Sequence, residues 1–386
     1  MSEAMEFRRV GDTYEKKITS VAANGSTYSC WQQVRRETII DDRGREYLRT
    51  IPSYDNGVVV PSHTDYQDTI EKCVNRYHPL SYNVNEGSFP TWESLVKQVF
   101  GEQESMGWEY LATLYQNPLQ ILPILCLVSE ENGTGKTTFA NALENLFGQN
   151  VGFYGQQDLS SQFNTWMSSL VAVFEEINET ETTLNKLKAA STARSVTINA
   201  KYQQPYTFNP FVKIILLSNN EKTFIRANRN DIRFWVRKLS PLAAYDHNFE
   251  KNLKLETPAV AYYLSTYVLR EPRSRMYFSP QEIETEALRL VVKESQSNCV
   301  KELSEFIADS LEDADPFLAT TLDLFDLLDK HYTRSEIKQA LQNDFCLSPS
   351  VNPVRYTTIS GLSKTGRVYT FTGNMLQSLR QSYTLI

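Results

Sequence analysis

The sequence predicts an α/β protein built around a parallel central sheet, and two patterns indicate this fold class. Largely apolar runs occur at 121–128, 170–174 and 211–217, with the length and composition of buried parallel strands. A glycine-containing turn and a helix with one apolar face at 139–147 follow the first run, and Gly148 is placed to end that helix. Strands that alternate with helices favour a parallel sheet covered by helices.

The chain of 386 residues is long enough for two or three domains. A mixed, strand-rich region of unassigned role is expected at 1–88, and a helical segment at 89–118 is either an oligomerisation collar or an outer layer. The α/β core is predicted at 119–245. A lid helix from about Pro258 to Leu269 and a linker from Pro272 to Pro280 are expected within 246–280. A helix at 317–328, a helix that a capping box of Thr333 and Glu336 opens, and a hairpin of strands at 354–360 and 367–372 predict a winged-helix-like domain at 281–386 that binds either duplex DNA or a protein partner.

Composition is ordinary for a soluble globular protein, with 41% hydrophobic and 22% charged residues. The first residues lack the apolar core of a signal peptide, and no apolar run reaches membrane-spanning length. We therefore expect a cytoplasmic protein without membrane contact. The five cysteines form no C-x-x-C pair and the four histidines have no ligand spacing, so neither disulfides nor zinc are expected.

The turn after the first apolar run has the features of a triphosphate-binding loop. Its backbone amides can point at an anion, the following helix adds positive potential, and a lysine adds a full charge. Glu130 stands where the usual pattern G-x-x-x-x-G-K-[ST] begins with glycine. Because carboxylates would repel phosphate, the side chains of Glu130 and Glu131 are expected to point outward. The predicted nucleotide-binding residues are Asn132, Gly133, Thr134, Gly135, Lys136, Thr137 and Thr138.

Polar residues stand at the ends of the later predicted strands. Glu175 and Glu176 end the second apolar run, and a pair of acids there fits a Mg²⁺ and water-activating role. Glu175 would hold the metal through water, and Glu176 would orient or deprotonate the attacking water. Asn219 follows the third run and can hydrogen-bond both γ-phosphate and lytic water. Arg233 enters a further strand, and its guanidinium group can stabilise a phosphoryl group in transfer.

Charge is distributed unevenly along the chain. The formal net charge is −7, whereas residues 182–239 contain eleven basic and two acidic residues. This segment is therefore +9, because eleven minus two is nine, and the remainder is −16. An acidic body with one strongly basic segment fits a protein that grips a phosphate backbone at one place.

Within this basic segment, two features could contact nucleic acid. A short predicted helix carries Lys186 and Lys188, and two predicted strands at 195–199 and 205–208 form a hairpin. The hairpin tip carries Lys201 and Tyr202, which can hold a phosphate by charge and pack a ring on a base or sugar. A solvated turn is the alternative interpretation of this tip.

The motifs NGTGKT, VAVFEE, KIILLSNN and DIRFW follow one another in this order. This set resembles the superfamily 3 helicases of the AAA+ class, in particular the helicase part of primase-helicase proteins from phages and mobile elements. The resemblance covers roughly 89–242. It implies an AAA+ P-loop core, a ring of six subunits with ATP and Mg²⁺ between neighbours, and movement on single-stranded or forked DNA. It also implies that the phosphate-loop strand lies beside the strand that ends at Asn219.

The resemblance also implies roles for single residues. Asn219 corresponds to the sensor asparagine, and Arg233 to an arginine finger that reaches the next subunit, with Arg229 as the reserve candidate. Family members usually have aspartate where Glu175 stands. The implied catalytic residues are Lys136, Glu175, Glu176, Asn219 and Arg233. The implied metal ligands are Thr137 and Glu175. The implied DNA-contacting residues are Lys201 and Tyr202, and Lys186 and Lys188 of the basic segment are predicted to contact DNA beside them.

The resemblance implies a homohexamer that acts with a primase or other replication proteins in the cytoplasm of a bacterial host. Two other functions stay open. A P-loop AAA+ ATPase that remodels or signals on nucleic acid without unwinding would have the same nucleotide site, and its Lys201 hairpin would be dispensable. A small-molecule kinase would be a monomer with a lid of arginines, and it leaves Asn219 and the basic hairpin unexplained.

Overall fold

The residues that the computed structural model describes are 6–21, 25, 27–177, 180–198, 206–227, 233–242, 246–273, 275–313 and 315–373. The predicted hairpin tip with Lys201 and Tyr202 lies outside these residues, and so does Arg229. No helix in the described part of the chain is long and apolar enough to cross a membrane.

The N-terminal region is rich in strands, as the sequence predicts. Its elements are β1 (Phe7–Val10), β2 (Thr13–Val21), β3 (Thr27–Val34), α1 (Arg36–Arg43), β4 (Ser53–Tyr54), β5 (Asn56–Val58), β6 (Thr69–Ile70) and β7 (Cys73–Asn75). One sheet has the order β3-β2-β1-β4 and a second has the order β5-β7-β6. Phe7, Ile39 and Ile51 form a small apolar core beneath the first sheet.

Two helices follow, α2 (Pro90–Phe100) and α3 (Glu104–Gln116). Their apolar faces are buried, with Trp92 and Leu111 fully inaccessible to solvent. The segment that links the two helices is also joined to the sheet by a hydrogen bond, because Gln103 Oε1 accepts from Trp235 Nε1 at 2.8 Å. This packing corresponds to the outer-layer alternative for residues 89–118, and a collar role stays a prediction.

The core that follows alternates strands with helices. Its elements in chain order are β8 (Ile124–Val128), α4 (Lys136–Phe147), β9 (Val151–Tyr154), α5 (Gln156–Ser160), β10 (Val171–Glu175), α6 (Glu181–Thr192), β11 (Val196–Ile198), β12 (Tyr206–Phe208), β13 (Lys213–Ser218), β14 (Phe234–Lys238), α7 (Phe249–Thr266) and α8 (Glu286–Ser295). Five of these strands form one sheet in the order β14-β8-β13-β10-β9. Every neighbouring pair is parallel, which confirms the predicted α/β class and the place of β8 beside β13.

Helices cover both faces of this sheet. Alternate residues of a strand point to opposite faces, so Leu125 and Leu127 of β8 join the cluster that contains α2, α3, α4 and α7. Ile124 and Cys126 join the cluster that contains α6 and α8. Glycine ends α4 as predicted, since Gly148 has φ +59° and donates its amide to Glu144.

Two predictions about residues 246–280 were wrong in detail. The helix expected from Pro258 begins at Phe249 and contains Pro258 in its interior. The expected linker at 272–280 is packed instead, because Tyr277 and Phe278 are buried. The amide of Tyr277 also donates to the carbonyl of Ile121 at 3.0 Å. An apolar Met-Tyr-Phe stretch can be buried between two prolines, which sequence composition alone does not reveal.

The boundary predicted at residue 281 also falls too early. Helix α8 packs on the sheet, where Ala287, Leu288 and Val291 belong to its second apolar cluster. A separate cluster begins at Cys299. The elements of this C-terminal part are α9 (Asn298–Asp313), β15 (Phe317–Ala319), α10 (Thr321–Leu327), α11 (Arg334–Asn343), β16 (Val354–Thr357), β17 (Ser363–Gly366) and β18 (Tyr369–Phe371).

Strand pairing in the C-terminal part differs from the predicted pattern. The segment 317–328, expected to be one helix, is divided into β15 and α10, because Thr320 and Asp323 form a capping box at the start of α10. Antiparallel pairs join β15 to β18 and β16 to β17. The predicted capping box of Thr333 and Glu336 is confirmed at the start of α11.

Lys213 is a buried lysine at the start of β13, and its burial can be tested through its pKa. Its side chain is 3% exposed, and its ammonium group donates to the carbonyls of Pro118 and Phe211. Burial lowers the pKa of Lys213 to about 7, from an ordinary value of 10.5. Between these two pH values the unfolded chain binds more protons than the folded chain, so the free energy of unfolding rises with pH.

We therefore predict that the free energy of unfolding of the wild type increases relative to that of Lys213→Met as pH is raised from about 7 to about 10. Urea denaturation at several pH values measures this difference, and other groups that titrate in the same range cancel in the comparison. Parallel stability curves for the two proteins would contradict the burial of a titrating lysine at this position.

Candidate active site

The carboxyl ends of β8, β10 and β13 meet at one edge of the sheet and border a cleft of about 250 Å³. Adjacent parallel strands place the residues that follow them side by side, which brings distant parts of the chain together here. The cleft is lined by Asn132, Gly133, Thr134, Gly135, Lys136, Thr137, Thr138, Glu175, Glu176, Leu217 and Asn219. The structure thus brings together the predicted loop residues, the acidic pair and Asn219.

Glycine is required at two positions of the loop between β8 and α4. Gly133 has φ +68° and Gly135 has φ +95°, both in the left-handed region that favours glycine. Gly135 also accepts the amide of Phe139 at 2.9 Å, which starts the helix. Glu130 and Glu131 are exposed and do not line the cleft, in agreement with the expected outward orientation of their side chains.

Lys136 is the charged group at the centre of the loop. It is 9% exposed, and its Nζ donates to the carbonyl oxygens of Ser129 at 3.0 Å and Glu131 at 3.3 Å. Burial lowers the pKa of Lys136, and the negative charges of Glu176 and Glu221 oppose this shift. Two carbonyl groups of the loop therefore bind a nearly buried cation, and exposed residues of the same loop lie next to it.

The acidic pair differs in backbone conformation. Glu175 is the exposed last residue of β10, whereas Glu176 has φ +46°, which is unusual for a residue other than glycine. The amide of Glu176 donates to Leu217 at 3.0 Å. Its Oε1 accepts from the backbone amide of Asn219 at 2.7 Å. Glu176 is thereby joined to the end of β13 by both its backbone and its carboxylate.

Thr137, in the first turn of α4, and Glu175, at the end of β10, are both exposed and both line the cleft. A hydroxyl and a carboxylate are oxygen donors of the kind that Mg²⁺ binds, with water and phosphate oxygens as its other ligands. Within the described ranges, no group of three or more His, Cys, Asp or Glu side chains could hold a metal by itself. The residues present therefore fit a Mg²⁺ ion that is bound together with a triphosphate.

Sequence reasoning missed two residues that support the loop. Gln98 of α2 donates from Nε2 to Thr134 O at 3.3 Å and to Ser240 O at 2.6 Å. Glu221 accepts the amide of Glu130 at 3.1 Å and forms an ion pair with Lys238 at 2.6 Å. A signal for Glu221 was present, because it is one of only two acids in the basic segment 182–239.

Arg233 lies at the other edge of the sheet. It directly precedes β14, and its carbonyl accepts the amide of Ile124 at the start of β8 at 2.7 Å. The phosphate loop follows the opposite end of β8, about 13 Å away for five residues of strand. Arg233 is not among the residues that line the cleft.

The predicted DNA-contacting lysines of α6 make internal contacts. Lys186 donates from Nζ to Leu159 O at 2.7 Å and to Ser161 O at 3.0 Å, which ties α6 to α5. Lys188 Nζ lies 5.4 Å from the ring centroid of Phe234. The predicted hairpin is confirmed, since β11 and β12 pair in antiparallel register from Val196 opposite Phe208 to Ile198 opposite Tyr206.

Part of the positive charge of residues 182–239 is directed inward. Arg237 is 6% exposed, and its Nη1 lies 2.7 Å from Glu102 Oε1. Lys213 is buried and Lys238 is paired with Glu221. The sum of +9 therefore overstates the charge that the folded segment presents to a ligand.

Comparison with known proteins extends this description. Residues 127–233 match a family described as a family of unknown function, DUF5906. None of the curated proteins compared with the sequence matches it. Among solved structures, the apo C-terminal region of NrS-1, residues 305–718, is similar with a TM-score of 0.62 and 14% identity over 95% of each chain. A second form of this apo region has a TM-score of 0.60, also at 14% identity over 95% of each chain. At this identity the likeness is one of fold.

The hydrogen bonds of Gln98 lead to a prediction about the loop. We expect Gln98→Ala to speed amide hydrogen exchange at 133–135 and 239–242 roughly fivefold, because losing one such bond costs about 1 kcal/mol. Gln116→Ala is a matched control, since Gln116 Nε2 of α3 bridges the carbonyls of Leu264 and Tyr267 in the same way. Equal exchange changes at the loop in both variants would contradict a specific support by Gln98.

Proposed function

We propose that this protein is an ATP-dependent DNA helicase that moves along single-stranded DNA as a homohexameric ring and takes part in replication. The observation that carries the proposal is the cleft in which the phosphate loop, the pair Glu175 and Glu176, and Asn219 converge. The strand order β14-β8-β13-β10-β9 supports an AAA+ P-loop core. The cytoplasm of a bacterial host is the proposed location.

ATP is the proposed substrate of this cleft. Its phosphate oxygens would replace the carbonyls of Ser129 and Glu131 as partners of the Lys136 ammonium group, while the amides at Gly133 and Gly135 contact the same phosphates. Thr137 and Glu175 would hold Mg²⁺, which neutralises phosphate charge when bound. Asn132, Thr134 and Thr138 complete the lining of the cleft.

Glu176 is the residue proposed to orient or deprotonate the attacking water. Its carboxylate accepts the amide of Asn219, so a displacement of the proposed sensor asparagine would be passed to the acid. An asparagine side chain that contacts γ-phosphate would lose this partner on hydrolysis. The backbone contact then offers a direct route by which the loss of phosphate changes the orientation of Glu176.

Arg233 is proposed to complete the site of a neighbouring subunit. Its place at the amino edge of the sheet keeps its backbone about 13 Å from the start of the phosphate loop of its own chain. An arginine supplied by a neighbour stabilises the charge of the transferring phosphoryl group. This proposed arrangement requires a ring or a comparable assembly, which the proposed hexamer would provide.

The DNA-contacting part of the proposal depends on the β11–β12 hairpin. Its tip residues Lys201 and Tyr202 are proposed to line the channel of the ring and follow one DNA strand, with Lys186 and Lys188 nearby in sequence.

The order α9, β15, α10, α11 and the β16–β17 hairpin supports a winged-helix-like domain. Its Lys364 is paired with buried Asp323 at 2.7 Å, so this lysine serves the domain itself. We propose a primase or another replication protein as a partner of this protein.

Lys136→Ala is predicted to reduce ATP hydrolysis roughly 100-fold, because it removes a positive charge placed at the developing charge of the phosphates. Lys254→Ala, a change of an exposed lysine on α7, should retain wild-type activity. Three measurements test the three parts of the proposal. Displacement of a labelled strand from forked DNA with opposite tails tests unwinding, the ATPase rate tests hydrolysis, and the solution mass tests the hexamer.

Lys201→Ala should keep ATP hydrolysis without DNA but lose strand displacement, and binding to single-stranded DNA should weaken with a shallower salt dependence. ATP hydrolysis without strand displacement, unchanged by Lys201→Ala, would favour a remodelling or signalling ATPase. A monomer that phosphorylates a small molecule would contradict both functions.

Complementation tests the role of Arg233 between subunits. We predict that Arg233→Ala and Lys136→Ala are each nearly inactive alone, and that mixing them restores part of the ATPase rate. The mixture contains interfaces that join an intact Lys136 to a neighbour's intact Arg233. Failure of the mixture to recover activity, when mass measurement demonstrates mixed rings, would exclude a trans arginine at this position.

A further inference from the structure

Glu221 is a buried acid outside the lining of the cleft. It follows β13 by three residues and is 8% exposed. Both of its carboxylate oxygens have partners: Oε1 accepts the Glu130 amide at 3.1 Å, and Oε2 lies 2.6 Å from Lys238 Nζ. Lys238 itself has a side chain that is 57% exposed. One side chain thus joins the start of the phosphate loop, the segment after β13 and the end of β14.

The contact with Glu130 falls where the phosphate loop departs from its usual sequence. Glu130 replaces the first glycine of the pattern, and it is not among the residues of positive φ in the described part of the chain. Its amide has a fixed acceptor in Glu221, and the preceding amide of Ser129 donates to Ser218 O at 3.1 Å. Both bonds tie the first residues of the loop to the end of β13.

The loop start in turn determines where Lys136 is held. The Nζ of Lys136 donates to the carbonyls of Ser129 and Glu131, which flank Glu130 on either side. A displacement at Glu130 would therefore move both carbonyls and the ammonium group between them. Glu221 lies two residues after Asn219, so the same short segment carries the proposed sensor and this anchor.

We propose that Glu221 is a positioning residue, which holds the start of the phosphate loop so that the loop and Lys136 bind the triphosphate. This inference rests on the proposed ATPase function. Glu221 acts through the Glu130 amide and does not touch the nucleotide. Its loss should therefore weaken binding of ground state and transition state alike, which raises KM and leaves kcat nearly unchanged.

Two double variants isolate the hydrogen bond to Glu130. Glu221→Gln with Lys238→Met keeps a carbonyl acceptor for the amide and leaves no unpaired lysine. Glu221→Ala with Lys238→Met removes the acceptor in the same background. The full chain is used, ATPγS with Mg²⁺ is the binding probe, and ATP turnover supplies kcat and KM. Glu282→Ala is the stability control, because it removes an ion pair with Arg270 outside the cleft.

We expect the alanine double variant to have an ATP KM and an ATPγS Kd about tenfold higher than the glutamine double variant, with kcat within about threefold. Glu282→Ala should lower the melting temperature and leave both constants unchanged. Equal constants in the two double variants, or the same loss of affinity in Glu282→Ala, would overturn the role of Glu221.

Failure of the proposed function gives a different result. If the wild type neither binds ATPγS nor hydrolyses ATP, the ATPase proposal fails and the role of Glu221 fails with it. If the wild type binds and Lys136→Ala does not, while the two Glu221 double variants bind equally, only the inference about Glu221 is wrong.

Discussion

The burial of Lys136, a charged residue that is only 9% exposed, sets the requirements that its surroundings have to meet. A buried cation is unfavourable unless hydrogen-bond acceptors surround it, and two loop carbonyls fill this role. Between those carbonyls and Lys136 the loop turns through two left-handed glycines, Gly133 and Gly135, which return the chain to them. The turn in turn depends on β8 being fixed between β13 and β14 in the sheet. Sheet, loop and helix α4 therefore form one arrangement around a single charge.

Sequence patterns were sufficient for the parts of this arrangement that depend on local physics. Apolar runs marked β8, β10 and β13, and left-handed backbone requires glycine, so Gly133 and Gly135 could be recognised. Parallel pairing then placed Glu175, Glu176 and Asn219 near the loop. Gln98 was not predictable, because it reaches the loop from another layer, and its two partners are backbone carbonyls that carry no sequence signature.

Errors in the element boundaries have a common physical cause. Proline usually starts or ends a helix, yet Pro258 lies inside α7. The residues on either side of Pro258, Thr257 and Ala259, are buried. Burial of the apolar face on both sides of the proline outweighs the missing hydrogen bond. The same applies to Tyr277 and Phe278, whose burial overrides the flexible appearance of a proline-bounded segment. Tertiary packing decides such cases, and local composition does not report it.

Strand β14 connects the arginine proposed to act on a neighbouring subunit with the phosphate loop of its own chain. Arg233 stands at its start, and Lys238 at its end is bound to Glu221 and hence to the phosphate loop. The strand between them is buried and hydrogen-bonded along β8, and a short extended segment of this kind does not shorten or stretch. Arg237 attaches the same strand to Glu102 beside α2. In the proposed ring, a shift of the loop in one site would therefore displace the arginine that is proposed to serve the next site.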